Sequence, residues 1–478
     1  MRKENNKYIE PSLSCARKRT KDEIEYSNFA FNPKVLGLGE GKTYLLKTFG
    51  CQANLSDSEK IRGILNHLGF TETVEEKEAD LILLNTCAVR KTAEDRSFGE
   101  IGRIKSLKKT NHNLIIGMCG CMPQEEATIN TLKTKHPEID LVFGTHNINL
   151  LPEYLERILI NKEKVIEVFS VEGNVVEGMP KVRDHKIKAW VDIMYGCDEF
   201  CTYCIVPYTR GKERSRKKED ILKEIKALVK EGYKEVTLLG QNVNAYNDGD
   251  FGFGDLLEAI AKTNIPRIRF TTSHPRDLDL RTIEVMGKYP NIMPHLHLPV
   301  QSGSNDILKK MNRKYTKEIY LEKVAKLRES VPGISLTTDI IVAFPNETES
   351  DFLDTLSLVK EAEFEGAYTF IFSKREGTPA FKYENNVLPK EAKERLLKLN
   401  EEINQGFLKG NKRFEKEIVK VLVDGFSDKD ESVLSGYTEH NKLVNFNGDK
   451  SLIGKIANVK ITKAYTWHLK GELQKWKK

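Results

Sequence analysis

Apolar, strand-like runs alternate with amphipathic helical segments through most of this chain, and this alternation constrains its fold more than any other feature. The first series of such units covers 42–160. Its strand-like runs are 42–50, 79–87, 113–121 and 139–145. The segment SDSEKIRGILNHLGF after the first run has apolar residues at helical spacing, with Ser56 as its predicted cap. Strands that alternate with helices form buried parallel sheets, so we predict a parallel α/β domain over 42–160.

A second series of strand–helix units follows a charged, glycine-containing linker at 161–188. We assign this series to a domain that extends from 183 to 415. Its strand-like runs are 189–196, 234–241, 267–274, 295–301, 335–344 and 366–373. Six such units predict an open, partial β/α barrel rather than a complete eightfold one. A long charged helix at 390–417 is predicted to close this region.

The last segment, 416–478, alternates apolar and polar residues between turns, which predicts a small antiparallel β-barrel. Its tail, KITKAYTWHLKGELQKWKK, interleaves lysines with aromatic residues. Such a pattern can neutralise phosphates and stack bases, so Lys463 and Trp467 are candidate RNA contacts, with Trp476 beyond them. The alternative is an ordinary solvated tail. The fold class is therefore α/β multidomain with a C-terminal barrel.

Composition narrows the class of protein. Hydrophobic residues make up 39% of the chain, which predicts folded cores, but no apolar run approaches the roughly 20 residues of a membrane span. Residues 1–41 are polar and predict a disordered arm, with no secretory signal. We expect a cytoplasmic protein whose cysteines are reduced, and hence ligands or reactive thiols rather than disulfides. The net charge of +6 only weakly indicates a polyanionic partner.

The loop GCDEFCTYCIVPYTRG at 196–211 directly follows a predicted barrel strand and holds Cys197, Cys201 and Cys204. Three thiolates can hold three corners of a [4Fe–4S] cluster and leave its fourth iron open. A small molecule such as S-adenosylmethionine, with its amine and carboxylate, can then bind that iron and accept an electron. The alternative is a zinc site that a distant His or Cys completes.

Three further cysteines, Cys51, Cys87 and Cys121, each end a predicted strand of the N-terminal domain. The carboxyl ends of parallel strands line one crevice, so these thiols are expected to converge there as a second three-ligand metal site. Cys119 can compete for the role of Cys121. The alternative is ordinary buried cysteine in the core.

The cysteine loop, with Tyr203 before its last cysteine, resembles the radical S-adenosylmethionine superfamily. The segments TFGCQANLSDSE, NTCAVR, GCMPQ, LLGQNVNAY, TSHP, HLPVQSGSNDILKKMNR, DIIVAFPNET and REGTPA resemble its methylthiotransferase family. The C-terminal barrel is similar to the TRAM domain, an RNA-binding module. This resemblance covers about residues 42–470 and implies two open [4Fe–4S] clusters. It implies an auxiliary one on Cys51, Cys87 and Cys121, with Cys119 as an extra thiol.

The resemblance also implies the reaction and the partners. PYTRG and LLGQNVNAY favour the branch that methylthiolates carbon 2 of dimethylallyladenosine in tRNA, next to the anticodon. Such an enzyme uses two molecules of S-adenosylmethionine per turnover and an electron donor such as flavodoxin or ferredoxin, and it acts as a monomer. The alternatives are methylthiolation of threonylcarbamoyl-adenosine or of a ribosomal-protein aspartate. An alternative that is not an enzyme is an iron–sulfur RNA-binding protein.

Other polar residues are candidates for supporting roles. The candidates for the cofactor site are Tyr203, Gly240, Gln241, Asn242, Gln301, Ser302 and Asp339. The alternatives are an ordinary βα turn, capping by Ser304, and hydrogen bonds at strand ends. The basic run RGKERSRKK at 210–218 contains Arg210, Arg214 and Arg216, which are candidate contacts to RNA phosphates or to the cofactor carboxylate, or else belong to a solvated helix start. We interpret His274, His295 and His297 as packing or hydrogen-bonding residues rather than ligands.

Overall fold

The chain divides into two units in the computed structural model, which describes residues 23–89, 91–169 and 173–474. The N-terminal unit comprises residues up to 184 together with 194–200 and 204–216. The C-terminal unit comprises 185–193, 201–203 and the chain from 217 onward. Most of the predicted N-terminal arm and the candidate Trp476 lie outside the described residues. Within the described ranges, no helix has the length and apolar character required to span a membrane.

A six-stranded parallel sheet forms the centre of the N-terminal unit, as the alternation predicts. In sheet order its strands are Thr71–Glu72, Thr43–Thr48, Leu81–Thr86, Ile115–Gly120, Leu141–Phe143 and Val165–Glu167. Successive side chains of a strand point to opposite faces of a sheet, so a strand covered on both faces must be apolar throughout. The strand Leu81–Thr86 is accordingly buried at every position.

Helices cover both faces of this sheet and give two separate cores. The helices are Gln52–His67, Lys91–Ile104, Glu126–Lys135 and Leu151–Leu159. Ile61 and Leu65 of the first helix pack with Leu83 of the sheet, while Ile101 of the second helix packs in the other core with Ile82. The first helix begins at Gln52 with Cys51 as its N-cap, so the prediction that Ser56 caps it is wrong. Ser56 lies buried within the helix.

Two segments that the sequence indicated as irregular take part in the fold. The end of the predicted arm forms the strand Tyr26–Asn28, which pairs in parallel with Val175–Glu177 from the predicted linker. The linker also supplies the sheet strand Val165–Glu167. The expectation of a disordered arm up to residue 41 is therefore wrong for its last part, where Val35 is fully buried. Short strands are difficult to detect in polar sequence because most of their stabilisation comes from packing with distant partners.

The C-terminal unit begins with six parallel strands arranged as two three-stranded sheets, which confirms the prediction of a partial barrel. In sheet order the strands are Arg267–Thr271, Glu235–Leu239 and Lys188–Asp192, followed by His295–His297, Ser335–Val342 and Ala367–Ile371. The helices of this unit are Lys218–Lys230, Phe253–Ala261, Leu280–Lys288, Asn305–Lys310, Lys317–Ser330, Glu349–Ala362 and Pro389–Lys412. The last of these is the predicted long charged helix.

A closed five-stranded barrel ends the C-terminal unit. Its strands are Ile418–Ser427, Asp430–Thr438, Leu443–Asn447, Ile456–Ala464 and Leu469–Leu473. The pairing is antiparallel as predicted, except that Leu443–Asn447 and Leu469–Leu473 pair in parallel. The buried Arg267 of the partial barrel donates hydrogen bonds to the carbonyls of Lys420 and Tyr437, which holds the small barrel against the larger one.

Candidate metal centres

The three strand-end cysteines of the N-terminal unit converge on the side chain of Asn54. The Sγ atom of Cys51 lies 3.8 Å from Asn54 Oδ1, and that of Cys121 lies 3.7 Å from the same oxygen. The thiols of Cys51 and Cys87 are hydrogen-bonded to each other. The parallel sheet therefore brings together three thiols that are far apart in sequence, as the positions at strand ends predicted.

Glycines permit this close approach. Gly50, just before Cys51, has φ +128°, and a Cβ atom there would lie 2.3 Å from Cβ of Cys87. Gly120, just before Cys121, has φ +93°, and its Cβ would lie 2.4 Å from Oδ1 of Asn85. Only glycine combines such a backbone angle with so little space. The Gly-Cys pairs are thus part of the geometry of the site.

A buried amide network fixes Asn54 beneath the thiols. Asn54 donates from Nδ2 to the carbonyl of Thr86 at 2.8 Å. Asn85 donates from its own Nδ2 to the carbonyl of Asn54 at 2.8 Å and to the hydroxyl of Ser58 at 2.9 Å. Buried polar groups are rarely left without such partners, and a fully bonded network is rigid. The position of the Asn54 oxygen is therefore set by the helix Gln52–His67 and the two central strands.

Arg210 completes the site from the segment that follows the cysteine loop. Its Nε donates to Cys121 Sγ at 3.2 Å, and its two terminal nitrogens donate to Asp57 Oδ2 at 2.7 Å and to Asn54 Oδ1 at 2.9 Å. Only 6% of Arg210 is exposed. The prediction that Arg210 contacts RNA is therefore wrong, because its guanidinium is buried against a thiol and a carboxylate.

The electrostatic setting differs among the three thiols. The pKa of Cys51 is lowered to about 5, chiefly because Cys87 donates a hydrogen bond to it, with help from the charge of Arg210. The shared proton raises the pKa of Cys87 correspondingly. Burial raises the pKa of Cys121 to about 11, although Arg210 opposes this. A thiolate at Cys51 is further favoured by backbone amides at the helix N-terminus.

Cys119 plays a different part from its neighbour. It lies in the strand Ile115–Gly120 and packs in the apolar core with Leu81 and Leu83. Burial raises the pKa of its thiol well above the ordinary value. Cys121, by contrast, accepts a hydrogen bond from Arg210 and lies beside the Asn54 oxygen, so the geometry favours Cys121 over Cys119 as the ligand.

The residues of the N-terminal site fit an iron–sulfur cluster with three protein ligands. Soft thiolates are the ligands that such clusters use, and the polar donors around them stabilise negative charge. Around the sulfurs, Gly50 and Gly120 have no Cβ atoms that would obstruct the close packing, and the oxygen of Asn54 is held in place. In the described ranges, no three His, Cys, Asp or Glu side chains lie close enough together to hold a single metal ion.

The cysteine loop has its own buried arginine, which the sequence reasoning missed. In the C-terminal unit, Arg313 donates from Nη1 to Cys201 Sγ at 3.4 Å, from Nε to the Tyr315 hydroxyl at 2.8 Å and from Nη2 to the carbonyl of Pro299 at 2.8 Å. In the N-terminal unit, the backbone N–H of Cys197 donates to the carbonyl of Gly211 at 3.1 Å. Arg313 lies in the MNR motif, but that motif alone does not indicate a contact with a thiol.

Buried polar atoms without partners mark the carboxyl ends of the second and third barrel strands. Within the described part of the chain, Asn242 Oδ1, both amide atoms of Asn244 and the hydroxyl of Ser273 have no hydrogen-bond partner. Asn242 is fixed through Nδ2, which donates to Asp277 at 2.6 Å. Such unpaired groups are costly unless a ligand or water satisfies them, so this end of the barrel fits a polar cofactor. Asn244 and Ser273 were not among the sequence candidates.

The other cofactor candidates have varied surroundings. Gln301 adopts φ +71° and its backbone bonds Asp339 and Ile341, while the carboxylate of Asp339 lies 3.5 Å from His297. Ser302 is wholly buried, and its hydroxyl is engaged with Thr355 and with the backbone N–H of Ser304.

The hydroxyl of Ser302 is therefore used in a turn, and its assignment to the cofactor stays a prediction. Ser304 caps the following helix, as the alternative proposed. Gly240, at the end of a barrel strand, exchanges backbone hydrogen bonds with the segment at Thr271 and Thr272, while Tyr203 packs partly buried against Met311. Gln241 is partly exposed beside Gly240.

The remaining arginines of the basic run are also buried, so their assignment to RNA is wrong. Arg216 forms a paired hydrogen bond with both carboxylate oxygens of Glu177, at 2.6 and 2.7 Å. Arg214 donates to the carbonyls of Arg210 and Lys212. The burial of a cation is favourable only when such partners satisfy it.

The C-terminal candidates for RNA contact are exposed. The ammonium of Lys463 lies over the ring of Tyr465 at 5.0 Å, and Trp467 is 63% exposed beside Phe407.

The histidines serve as hydrogen-bonding groups, as interpreted from the sequence. His295 and His297 each contact the hydroxyl of Thr337, and His274 accepts a hydrogen bond from the backbone N–H of Arg276. Burial lowers the pKa of His274 and of His295 far below the ordinary value. They are therefore neutral in the folded protein.

Three family models match successive parts of the chain. The Radical SAM superfamily matches residues 191–359, the Uncharacterized protein family UPF0004 matches 43–144, and the TRAM domain matches 412–474. Among curated proteins, the chain is 56% identical over 471 residues to a tRNA-2-methylthio-N(6)-dimethylallyladenosine synthase of Bacillus licheniformis, covering 98% of this chain and 92% of that protein. The protein of the same name from Bacillus subtilis is 55% identical with the same coverage.

Solved structures share the fold at low sequence identity. The radical S-adenosylmethionine methyltransferase TsrM from Kitasatospora setae, with tryptophan substrate and a cofactor analogue, matches with a TM-score of 0.53 and 13% identity. That match covers 71% of this chain and 75% of the other. The same enzyme with cobalamin and a [4Fe–4S] cluster gives a TM-score of 0.52 at 14% identity, covering 71% of this chain and 77% of that chain. These likenesses show the fold alone.

Proposed function

Since the chain belongs to the family of tRNA-2-methylthio-N(6)-dimethylallyladenosine synthases within the radical SAM superfamily, we propose that it methylthiolates carbon 2 of dimethylallyladenosine next to the anticodon of tRNA. It is a transferase that uses S-adenosylmethionine and iron–sulfur clusters. The observation that carries the proposal is the convergence of Cys51, Cys87 and Cys121 around Asn54, in a chain that has a second set of three cysteines in one loop. Two three-cysteine sites suit a reaction that needs two open irons.

The proposal assigns each cysteine set a role. Cys197, Cys201 and Cys204 would hold the cluster that binds S-adenosylmethionine, and Cys51, Cys87 and Cys121 would hold the auxiliary cluster. When bound, these groups supply the one-electron chemistry and the sulfur that an unreactive aromatic C–H bond requires.

The protein residues hold the sulfurs and exclude water. Asn54 and Arg210 fix the thiols of the auxiliary site. Arg313 does the same for Cys201.

We assign cofactor contacts to Asn242 and Asn244 because their buried amide atoms have no hydrogen-bond partner in the described part of the chain. The other cofactor contacts stay proposals from the sequence: Tyr203, Gly240, Gln241, Gln301, Ser302 and Asp339. The proposed domains are 42–160 with the auxiliary site, 183–415 with the cysteine loop and 416–478 as the TRAM barrel. Lys463 and Trp467 are the proposed RNA contacts. The electron donor is proposed to be of the flavodoxin or ferredoxin type, and the enzyme a cytoplasmic monomer.

Anaerobic reconstitution tests the function. The protein would be loaded with iron and sulfide, then incubated with S-adenosylmethionine, dithionite and tRNA that carries dimethylallyladenosine. Mass spectrometry of the digested nucleosides should show a methylthio group on the prenylated adenosine, which should be absent with Cys201→Ala. Cleavage to 5′-deoxyadenosine without a tRNA product would move the substrate to threonylcarbamoyl-adenosine or a ribosomal protein. Iron incorporation without any cleavage of the cofactor would contradict the enzyme.

A further inference from the structure

Arg210 is an unusual neighbour for a cysteine ligand because its guanidinium is fully engaged inside the protein. Each of its three contacts is made to the proposed auxiliary site: Cys121, Asn54 and Asp57. The same Asn54 oxygen that receives Arg210 is also the one nearest to Cys51 and Cys121. Arg210 therefore touches the site at a ligand sulfur and at the group that organises the sulfurs.

We infer that Arg210 is a positioning residue of the auxiliary site, which orients the sulfur of Cys121 and stabilises the more negative, reduced form of the group held there. This inference rests on the proposed function. An N–H donor to a ligand sulfur and a nearby positive charge both favour added negative charge, and such contacts are known levers on the potentials of iron–sulfur clusters. Asp57 partly offsets the charge of Arg210 and thus sets the size of the effect.

The placement of Arg210 in the chain gives the contact a further consequence. Arg210 follows Cys204, a proposed ligand of the other cluster, by six positions in the same segment of the N-terminal unit. Between them lies the short helix Val206–Thr209, and Ile205 and Tyr208 pack with Ala88 and Cys121. The segment that carries a ligand of the radical loop is thus anchored on a ligand of the auxiliary site.

The test measures the midpoint potential of the auxiliary cluster in the full-length chain. Cys197, Cys201 and Cys204 would be replaced by alanine so that only this cluster remains, and the reduced form would be followed by electron paramagnetic resonance. With Arg210→Gln, we expect the equilibrium constant for one-electron reduction to fall about tenfold, which equals a potential about 59 mV more negative. Arg210→Lys keeps the charge and should restore part of the shift.

Arg216→Gln is the matched control. Arg216 is an equally buried arginine in the same segment, and within the described residues its guanidinium bonds the carboxylate of Glu177 and no cysteine. The midpoint potential of the auxiliary cluster in Arg216→Gln should equal that in the parent. Equal potentials for the parent and Arg210→Gln would overturn the inference, as would an equal shift in Arg216→Gln or a lysine variant no closer to the parent than glutamine.

A second variant covers the possibility that Arg210→Gln binds no iron. Asp57→Asn removes the carboxylate that offsets Arg210, so it should raise the potential, opposite in sign to the loss of Arg210. A damaged fold gives no reason for opposite signs, and a lowered or unchanged potential would contradict the inference. If the parent itself holds no iron, the proposed auxiliary cluster fails; if iron binds and the potentials do not move, only the role of Arg210 fails.

Discussion

The two cysteine sites reach the same number of ligands by different routes. The candidate ligands of the auxiliary cluster come from three separate strand ends of the N-terminal sheet and are organised by buried amides. The candidate ligands of the cluster that binds S-adenosylmethionine come from one loop of eight residues, 197–204. Each site has a buried arginine that donates to one cysteine sulfur, Arg210 in the first and Arg313 in the second. Loop spacing is visible in a sequence, whereas convergence at a sheet edge follows only from the topology.

The charges around the two arginines differ. Arg210 is paired with Asp57, and the pair is almost completely buried. Within the described residues, Arg313 contacts a phenol, a carbonyl and a thiol but no carboxylate. A carboxylate therefore balances the charge of Arg210, although the buried ammonium of Lys60 also lies 3.5 Å from Asp57, while the charge of Arg313 has no such balance in the part of the chain that the structure describes. A positive charge without a balancing carboxylate favours the reduced, more negative form of a bound group and so makes that group easier to reduce.

The largest expected effect separates the two sites by function. We expect Cys201→Ala to reduce both 5′-deoxyadenosine and methylthio product to background, because the cluster proposed to bind and cleave the cofactor loses one of its three ligands. Cys87→Ala should keep cleavage of the cofactor and lose only the tRNA product. Each variant should hold half of the parent's iron after reconstitution. The two products are measured together by mass spectrometry, and identical losses of both products in the two variants would show that the sites do not divide the work.

How far the sequence predicts these sites depends on the range of the interactions. The alternation of strands and helices placed Cys51, Cys87 and Cys121 correctly, because periodicity is local and parallel strand ends share an edge. The basic run was misassigned because burial depends on distant partners. Arg210 meets Asp57 from 153 positions away, and Arg216 meets Glu177. Nothing in the run itself distinguishes a solvated cation from a buried one whose carboxylate lies elsewhere in the chain.

The second prediction sharpens the contrast in charge through stability without metal. Arg210→Gln leaves the buried Asp57 with only the more distant ammonium of Lys60, at 3.5 Å, so we expect the free energy of unfolding to fall by about 3 kcal/mol, the lower end for a broken buried pair. Arg313→Gln leaves only neutral acceptors and should cost about 1–3 kcal/mol. The double variant Asp57→Asn/Arg210→Gln should recover most of the first loss. Urea unfolding of the metal-free proteins measures all three, and an equal cost for both arginines would remove the difference between the sites.

A third prediction compares the buried arginines with the exposed surface of the small barrel. Trp467→Ala should weaken binding of tRNA by about 1–3 kcal/mol if its exposed ring stacks on a base. Lys463→Ala should weaken binding and lower the slope of log affinity against log salt by about 1.

The control for this prediction is Arg216→Gln, which removes a positive charge but should leave the salt slope unchanged because the guanidinium is buried against Glu177. Filter binding at several salt concentrations tests this set. A change of slope with Arg216→Gln and none with Lys463→Ala would return the RNA contact to the segment after the cysteine loop.

The smallest expected effects are on the pH dependence of stability, and they have opposite signs in the two units. Burial raises the pKa of Glu59, on the helix that carries Asn54, to about 7, although Arg183 opposes this. The folded state then binds its proton more tightly than the unfolded state, so this contribution is fully present below about pH 4.5 and is lost as pH rises through 7. Burial lowers the pKa of His440 in the C-terminal unit to about 4, so its contribution is lost as pH falls from about 6.5 through 4.

Replacement by glutamine isolates each contribution. Relative to the parent, Glu59→Gln should gain at most about 2 kcal/mol of stability between pH 5 and 7.5, and His440→Gln should gain a similar amount in the opposite direction, from pH 7 to 5. Urea midpoints across this range measure both. Because Glu59 lies on the helix that presents Asn54 and Asp57, a flat profile for Glu59→Gln minus parent would mean that this helix admits water at its buried charges. Such a result would contradict the dry, rigid surroundings that we assign to the auxiliary thiols. The two cysteine sites would then no longer differ in this respect.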